Sequence, residues 1–242
     1  MTSFDSIKRA AKTFKSESSV LHLLINNAGV MACPPGMTKE GYEMQFGTNH
    51  VGHALLTKLL LPTLSTTAKS SPDADVRVVN LSSMGENFAP KPEGIKFTDL
   101  KSDTCGGLGT WQRYGQSKLA NILHARALAK RYPELTAVSV HPGAVSTNLT
   151  SGPVASYGAW LYYPSKVIGW LFFKPVGQGA WNQTWAAVAP LARDGKSEGV
   201  RTGTFYHPVG LAGKDSQLAK NEELSDRLWE WTEKELQGHE IQ

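Results

Sequence analysis

The sequence predicts an α/β domain built on a doubly wound parallel sheet of about four strands with flanking helices. Three observations carry that expectation. Short, nearly continuous apolar runs occur at Val20–Ile25, Val76–Leu81 and Thr136–Val140, the pattern of strands buried on both faces. Helical patterns long enough for right-handed crossovers lie between them. Each run ends in small or polar residues: Asn26-Asn27-Ala28-Gly29, Ser82-Ser83 and His141-Pro142-Gly143. Ligands bind beyond the carboxyl ends of strands in such sheets, so the three clusters should face one crevice.

In chain order, Ile7, Ala10, Ala11 and Phe14 recur at helical spacing after Ser3, predicting an amphipathic helix capped by that serine. The first strand follows at Val20–Ile25. A long helix is expected from Thr38 to Leu61, ended by Pro62, and then the second strand. Between Gly85 and Gly109 the composition turns to Pro, Gly, Lys and Asp, which suits a surface insertion with a short strand near Ile95–Phe97. A helix over Tyr114–Arg131 closes at Pro133 and leads into the third strand. After the aromatic stretch Tyr157–Phe173 come a helix near Gly179–Ala189, a last strand at Gly203–Tyr206 and a helix over Glu222–Leu236 with an apolar stripe at Leu224, Leu228, Trp231 and Leu236.

Composition narrows the class. The 242 residues, 40% hydrophobic and 19% charged, suit one globular domain over 1–242. The net charge of +4 is spread without a basic run, which argues against nucleic acid as a partner. Trp160–Phe173 is interrupted by Pro164, Lys166 and Gly169, so no transmembrane segment is expected. Met1 to Asp5 lack a basic cap, an apolar run and a cleavage site, which argues against secretion. Cys33 and Cys105 stand apart with no metal-ligand spacing, so no metal is expected and a reducing, cytoplasmic setting is.

The chemistry centres on Tyr114-Gly115-Gln116-Ser117-Lys118. A tyrosine and a lysine four apart share one helix face, so their heads can converge. A phenol titrates near 10 in water, and a cation a few ångströms away lowers that by about 1–3, toward the range useful for proton transfer. His50 and His53 read as packing or capping residues. The extended backbone preferred before Pro142 accounts for His141.

Taken together, Asn26-Asn27-Ala28-Gly29 after a strand, Asn49 in the next helix, Ser83 after the next strand, the Tyr114-to-Lys118 segment, and Pro142-Gly143 with Thr147 resemble the short-chain dehydrogenase/reductase family in residue type and order. The wording is closest to its retinol-dehydrogenase-like branch, through Asn49-His50-Val51-Gly52-His53, Val78 to Ser83, and Glu222 to Trp229. The resemblance implies a Rossmann-like fold and NADP- or NAD-dependent interconversion of an alcohol and a carbonyl on a hydrophobic small molecule. Tyr114 would exchange the proton, and Lys118 would lower its pKa and hold the nicotinamide ribose. Ser83 would hydrogen-bond the reacting oxygen, and Asn49 would fix a water linking Lys118 to solvent. Asn26, Ala28, Gly29, Pro142, Gly143 and Thr147 would complete the cofactor site. Residues 157–175 would form an apolar substrate lid, and the tyrosine helix a homo- or hetero-dimer interface.

One departure is large. Family members begin with a strand, a Thr-Gly-x-x-x-Gly-x-Gly loop and a helix that hold the cofactor pyrophosphate. Here the chain starts at the helix that normally follows the third strand, so the resemblance implies an N-terminally truncated sheet with three of the usual seven strands absent. Neither Gly106-Gly107-Leu108-Gly109 nor Gly177-Gln178-Gly179 has the strand-to-helix context of a phosphate loop. Two other readings therefore stand beside the oxidoreductase: non-redox, isomerase-like carbonyl chemistry on Tyr114, Lys118 and Ser83, and a non-catalytic dimer partner.

Overall fold

In the computed structural model, which describes residues 1–143, 151–157, 175–192 and 199–240, four parallel strands run in chain order. They are β1 (Leu23–Asn26), β2 (Arg77–Leu81), β3 (Thr136–Val140) and β4 (Phe205–Tyr206). In register, Asn26 lies opposite Asn80, Leu81 opposite Val140, and Val140 opposite Tyr206. The helices are α1 (Phe4–Glu17), α2 (Met44–Phe46, the π-helical Gly47–Val51 and Gly52–Lys69 in succession), α3 (Thr110–Arg131), α4 (Ser151–Tyr157), α5 (Val176–Gly179), α6 (Trp181–Val188) and α7 (Glu222–Glu235).

Alternation along the strands sends side chains to two cores. Leu24, Val78, Ala137 and Phe205 pack with α1, α2, α3 and α7, whereas Val79, Val138, Val140 and Tyr206 pack with Ala186 of α6. Helices thus cover both faces of the sheet, as in Rossmann-like domains. Among the described residues β1 pairs only with β2. That matches the expectation that the strand after α1 lacks one neighbour, and Ile25, on the face opposite Leu24, is exposed.

Local chemistry explains the other departures. Ser3 takes the N-cap position of α1 without a side-chain capping bond, whereas the Asn221 side chain does cap α7, accepting from Leu224 N at 2.9 Å. Pro62 does not end its helix. It sits on the exposed side of α2, and burial of Leu59, Leu60 and Leu64 carries the helix past one missing bond to Lys69. The span from Thr38 to Glu43 is not helical, and the residues at Ile95–Phe97 form turns rather than a strand. The expected aromatic lid falls almost wholly on 158–174, outside the described residues. No described helix is long and apolar enough to cross a membrane.

Two backbone approaches fasten the chain after β2 to α3. A Cβ on Gly115 would lie 2.4 Å from Ala89 N and 2.5 Å from Phe88 C, and one on Gly85 would lie 2.7 Å from the Tyr114 ring. The 3-10 turn Met84–Phe88 is thereby held rigidly against the tyrosine. On its other side α3 is covered by α7, through Leu224 and Leu228 and a bond from Ser225 Oγ to Leu123 O at 2.9 Å.

Two consequences are measurable. Gly115→Ala should destabilise the fold by about 1–3 kcal/mol, because backbone atoms must move to admit the methyl group. Urea denaturation reads this, and an unchanged midpoint would contradict the close approach. His53 and His124 are buried, and burial pushes both down to about 4. Each is neutral when folded and gains a proton on unfolding below about pH 6.5. Their stabilising contribution is therefore complete above pH 6.5 and is lost as pH falls toward 4, by about 3 kcal/mol apiece. Urea midpoints should fall steeply between pH 7 and pH 4.5, and a flat profile would refute the burial of these rings.

Candidate active site

The carboxyl ends of β1, β2 and β3 and one face of α3 converge as the sequence requires. At β1, Asn26 is buried, whereas Asn27, Ala28 and Gly29 lie open to solvent. Gly29 is pressed against the centre of the site: a Cβ there would lie 3.0 Å from Asn49 Oδ1 and 3.4 Å from Lys118 Nζ. Any larger residue would fill the space in front of the lysine.

Asn49 lies in the π-helical turn of α2, fully buried. Its side-chain amide pairs with the backbone of Val30, accepting from the N–H at 2.8 Å and donating to the carbonyl at 2.9 Å. The same nitrogen donates to Ser117 Oγ at 2.9 Å, and Ser117 Oγ donates to Tyr114 O at 2.8 Å. The Asn49 carbonyl is engaged by His53 Nδ1 at 2.9 Å. Next to it, Gln45 accepts from Ala32 N at 2.8 Å and donates to Thr110 O at 2.9 Å.

The two serines after β2 point in different directions. Ser82 is buried and donates to Lys118 O at 2.7 Å, a structural bond within the helix packing. Ser83 is half-buried, accepts from Gly85 N at 3.0 Å and lies beside Tyr114, both closing on the Cβ position of Gly85. Lys118 Nζ donates to Leu81 O at 3.2 Å and sits 5.7 Å from the centre of the Tyr114 ring. Pro142 and Gly143 are half-buried beyond β3, with Gly143 at φ +91°, a left-handed conformation that favours glycine. Thr147 lies outside the described residues.

The electrostatics correct one expectation. Burial raises the Tyr114 phenol above its ordinary value, and the Ser83 hydroxyl offsets this only in part. Lys118 is itself so desolvated that its ammonium falls to about 8. Burial penalises phenolate and ammonium alike, and it dominates both groups here.

Several neighbours escaped the sequence reading. Met84 and Phe88 are 57% and 54% exposed on the turn that starts at Ser83. The Phe88 ring lies 5.7 Å from Trp111, which meets Tyr114 edge-on at 6.2 Å. Together they make an apolar wall beside the two hydroxyls. The signal for it was Gly115, since a glycine inside a helix is unfavourable unless something packs close. Among the described residues no cluster has the makings of a metal site.

The nicotinamide end of a dinucleotide fits this site. Gly29 leaves room in front of Lys118, Gly143 follows β3 in the left-handed conformation, and Asn26 Oδ1 is a buried acceptor without a partner. For the diphosphate end, the described residues hold no glycine-rich strand-to-helix turn.

No family model matches the chain. Individual proteins do. It is 36% identical to the short-chain dehydrogenase/reductase drtF of Aspergillus calidoustus over 98% of this chain and 74% of that protein. With mouse retinol dehydrogenase 11 it shares 38% identity over 93% of this chain and 64% of the relative. The chain thus spans about two thirds to three quarters of the length of these relatives. A crystal structure of an uncharacterized protein from Mycobacterium paratuberculosis superposes with a TM-score of 0.67 at 29% identity, covering 96% of this chain and 72% of the other. On the strength of this similarity and of the strand-end site just described, the chain belongs to the short-chain dehydrogenase/reductase family.

Proposed function

We propose that this chain carries the proton-handling part of an oxidoreductase that interconverts an alcohol and a carbonyl on a hydrophobic small molecule. The observation that carries the reading is the juxtaposition of Tyr114, Ser83 and Lys118 in one dry crevice under an apolar wall. In carbonyl reduction, Ser83 and Tyr114 donate hydrogen bonds to the substrate oxygen, and the Tyr114 proton moves to that oxygen as charge develops on it. Burial keeps the phenol protonated until then, which suits an acid. Lys118, positively charged below about pH 8, stabilises the phenolate left behind. Asn49 orders Val30 and Ser117 around both groups, and its fixing of a relay water belongs to this proposal. A bound NADP or NAD supplies the hydride in one direction and accepts it in the other. Asn26, Ala28, Gly29, Lys118, Pro142, Gly143 and Thr147 would hold its nicotinamide half.

The apolar body of the substrate lies on Met84, Phe88 and Trp111, which favours flat, conjugated or aryl compounds over sugars. Two free cysteines suit a cytoplasmic setting. Pairing through the tyrosine helix would have to displace α7, so a dimer through that face is disfavoured. A second reading rests on the same residues: Tyr114 acts as acid on a bound carbonyl without hydride transfer, as an isomerase does.

The test is turnover of apolar aldehydes and ketones by the purified chain with NADPH or NADH. Tyr114→Phe should lower kcat by about 10²–10⁴. Binding and turnover absent with both cofactors would refute the oxidoreductase reading for this chain, and product formed without any nicotinamide would establish the second. Trp111→Ala or Phe88→Ala should raise KM for aryl ketones about tenfold, the loss of roughly 1.4 kcal/mol of apolar contact, with little change for small ketones. Equal effects on both substrate sets would remove the wall from the binding site.

A further inference from the structure

A cavity of about 320 Å³ opens between α2, α3 and α7, and none of its lining residues belongs to the Tyr114 site. His124, in its floor, is ten residues beyond Tyr114 on α3, about 15 Å along the helix. Ala54, Leu61, Leu128 and Tyr132 give the walls their apolar character. Lys58 and Glu233 at the rim neutralise each other, Nζ to carboxylate 2.6 Å. The lining is therefore greasy and uncharged overall, which disfavours an ionic ligand.

The floor is polar, and its bonding is incomplete. Asn80 Nδ2, a donor, lies 3.4 Å from His124 Nδ1, which must then accept. A neutral imidazole with Nδ1 accepting carries its proton on Nε2. That N–H has no hydrogen-bond partner among the described residues. Thr57 Oγ1 accepts from Asn26 Nδ2 at 3.0 Å, and its own proton likewise meets no acceptor there. Two donors in the floor of an apolar cavity ask for an acceptor that the protein does not supply.

We infer that this cavity is a second binding site, for an uncharged apolar molecule carrying one carbonyl-type acceptor oxygen, which takes the protons of His124 and Thr57. At roughly 30 Å³ per small group the volume admits about ten to twelve non-hydrogen atoms. The site is joined to the crevice by hydrogen bonds. Thr57 holds Asn26, Asn26 Nδ2 also donates to Asn80 Oδ1 at 2.8 Å, and Asn80 reaches His124. Asn26 is the residue from which the Asn27-Ala28-Gly29 turn departs. A ligand on the floor therefore bears on the ends of β1 and β2 without entering the Tyr114 site.

The inference stands apart from any catalytic activity, and a binding experiment tests it. N,N-dimethyloctanamide offers an acceptor carbonyl that is not reducible by hydride transfer, and octanoate and octylamine provide charged counterparts of similar length. Methyl NMR on the full chain should show the Ala54, Leu61 and Leu128 signals, with the Asn26 and Asn80 side-chain amides, moving saturably with the amide. Octanoate and octylamine should bind at least tenfold more weakly. Ser65→Trp, on the cavity wall and half-exposed, should weaken the amide at least tenfold, and Tyr114→Phe should leave it unchanged. His124→Phe should weaken it about fivefold; should that variant melt early, Thr57→Val tests the other donor. Absent shifts, equal affinity for octanoate, or indifference to Ser65→Trp would each overturn the inference. So would shifts confined to residues around Tyr114.

Discussion

The side-chain amide of Asn49 is the bond on which the rest of this site depends. It closes a two-point pair with the backbone of Val30 and reaches Ser117 with its remaining donor, so one residue ties the loop leaving β1, the helix α2 and the helix α3. A fully buried amide whose partners are all backbone or buried hydroxyl cannot be removed without stranding several polar groups, each costing about 1–3 kcal/mol. The π-helical turn Gly47–Val51 is the local deformation that accompanies this aim, in keeping with the habit of π-turns to occur at functional sites. Gly29 can approach Lys118 only because the loop is held this closely.

Given that frame, desolvation sets the charges. It raises the Tyr114 phenol and lowers the Lys118 ammonium to about 8, so each group is pushed toward its neutral form. At neutral pH the phenol therefore stays protonated, and Lys118, at about 8, remains mostly an ammonium. The same two residues in water would both sit at about 10, so burial sets them apart from their ordinary values. The histidines behind the site obey the same rule and serve as neutral hydrogen-bonding groups.

Much of this was legible in the sequence where side-chain pattern and backbone agree. Three apolar runs became β1, β2 and β3 because parallel strands between covering helices have little other composition to choose from. Asn26, Asn49, Ser83, Tyr114, Lys118 and Gly143 were picked out together because their types and order resemble the short-chain dehydrogenase/reductase family, and the fold sets Asn49 and Ser117 next to Tyr114 and Gly29 next to Lys118. What was not legible depends on contacts between distant segments. Pro62 reads as a stop, but tertiary burial of Leu59, Leu60 and Leu64 overrides it. Trp111 stands one helical turn before Tyr114, whereas Met84 and Phe88 share no periodicity with it and reach it through the backbone contact at Gly115. The sign of the Tyr114 shift was misread because helical spacing brings a cation near but says nothing about how dry the site is.

Strand order imposes the last constraint. The described strands run β1-β2-β3-β4 without a reversal, whereas open α/β sheets bind dinucleotides where the order reverses. Among the described residues no such point occurs; at the free side of β1, Asn27, Ala28 and Gly29 face solvent and Asn26 keeps an unused buried acceptor. Asn49, Tyr114 and Lys118 stand on α2 and α3, and Ser83 directly follows the end of β2. The roles proposed for Tyr114, Ser83 and Lys118 therefore rest on elements that this sheet and its helices hold together, whereas a dinucleotide's diphosphate would need donors that the described residues do not show.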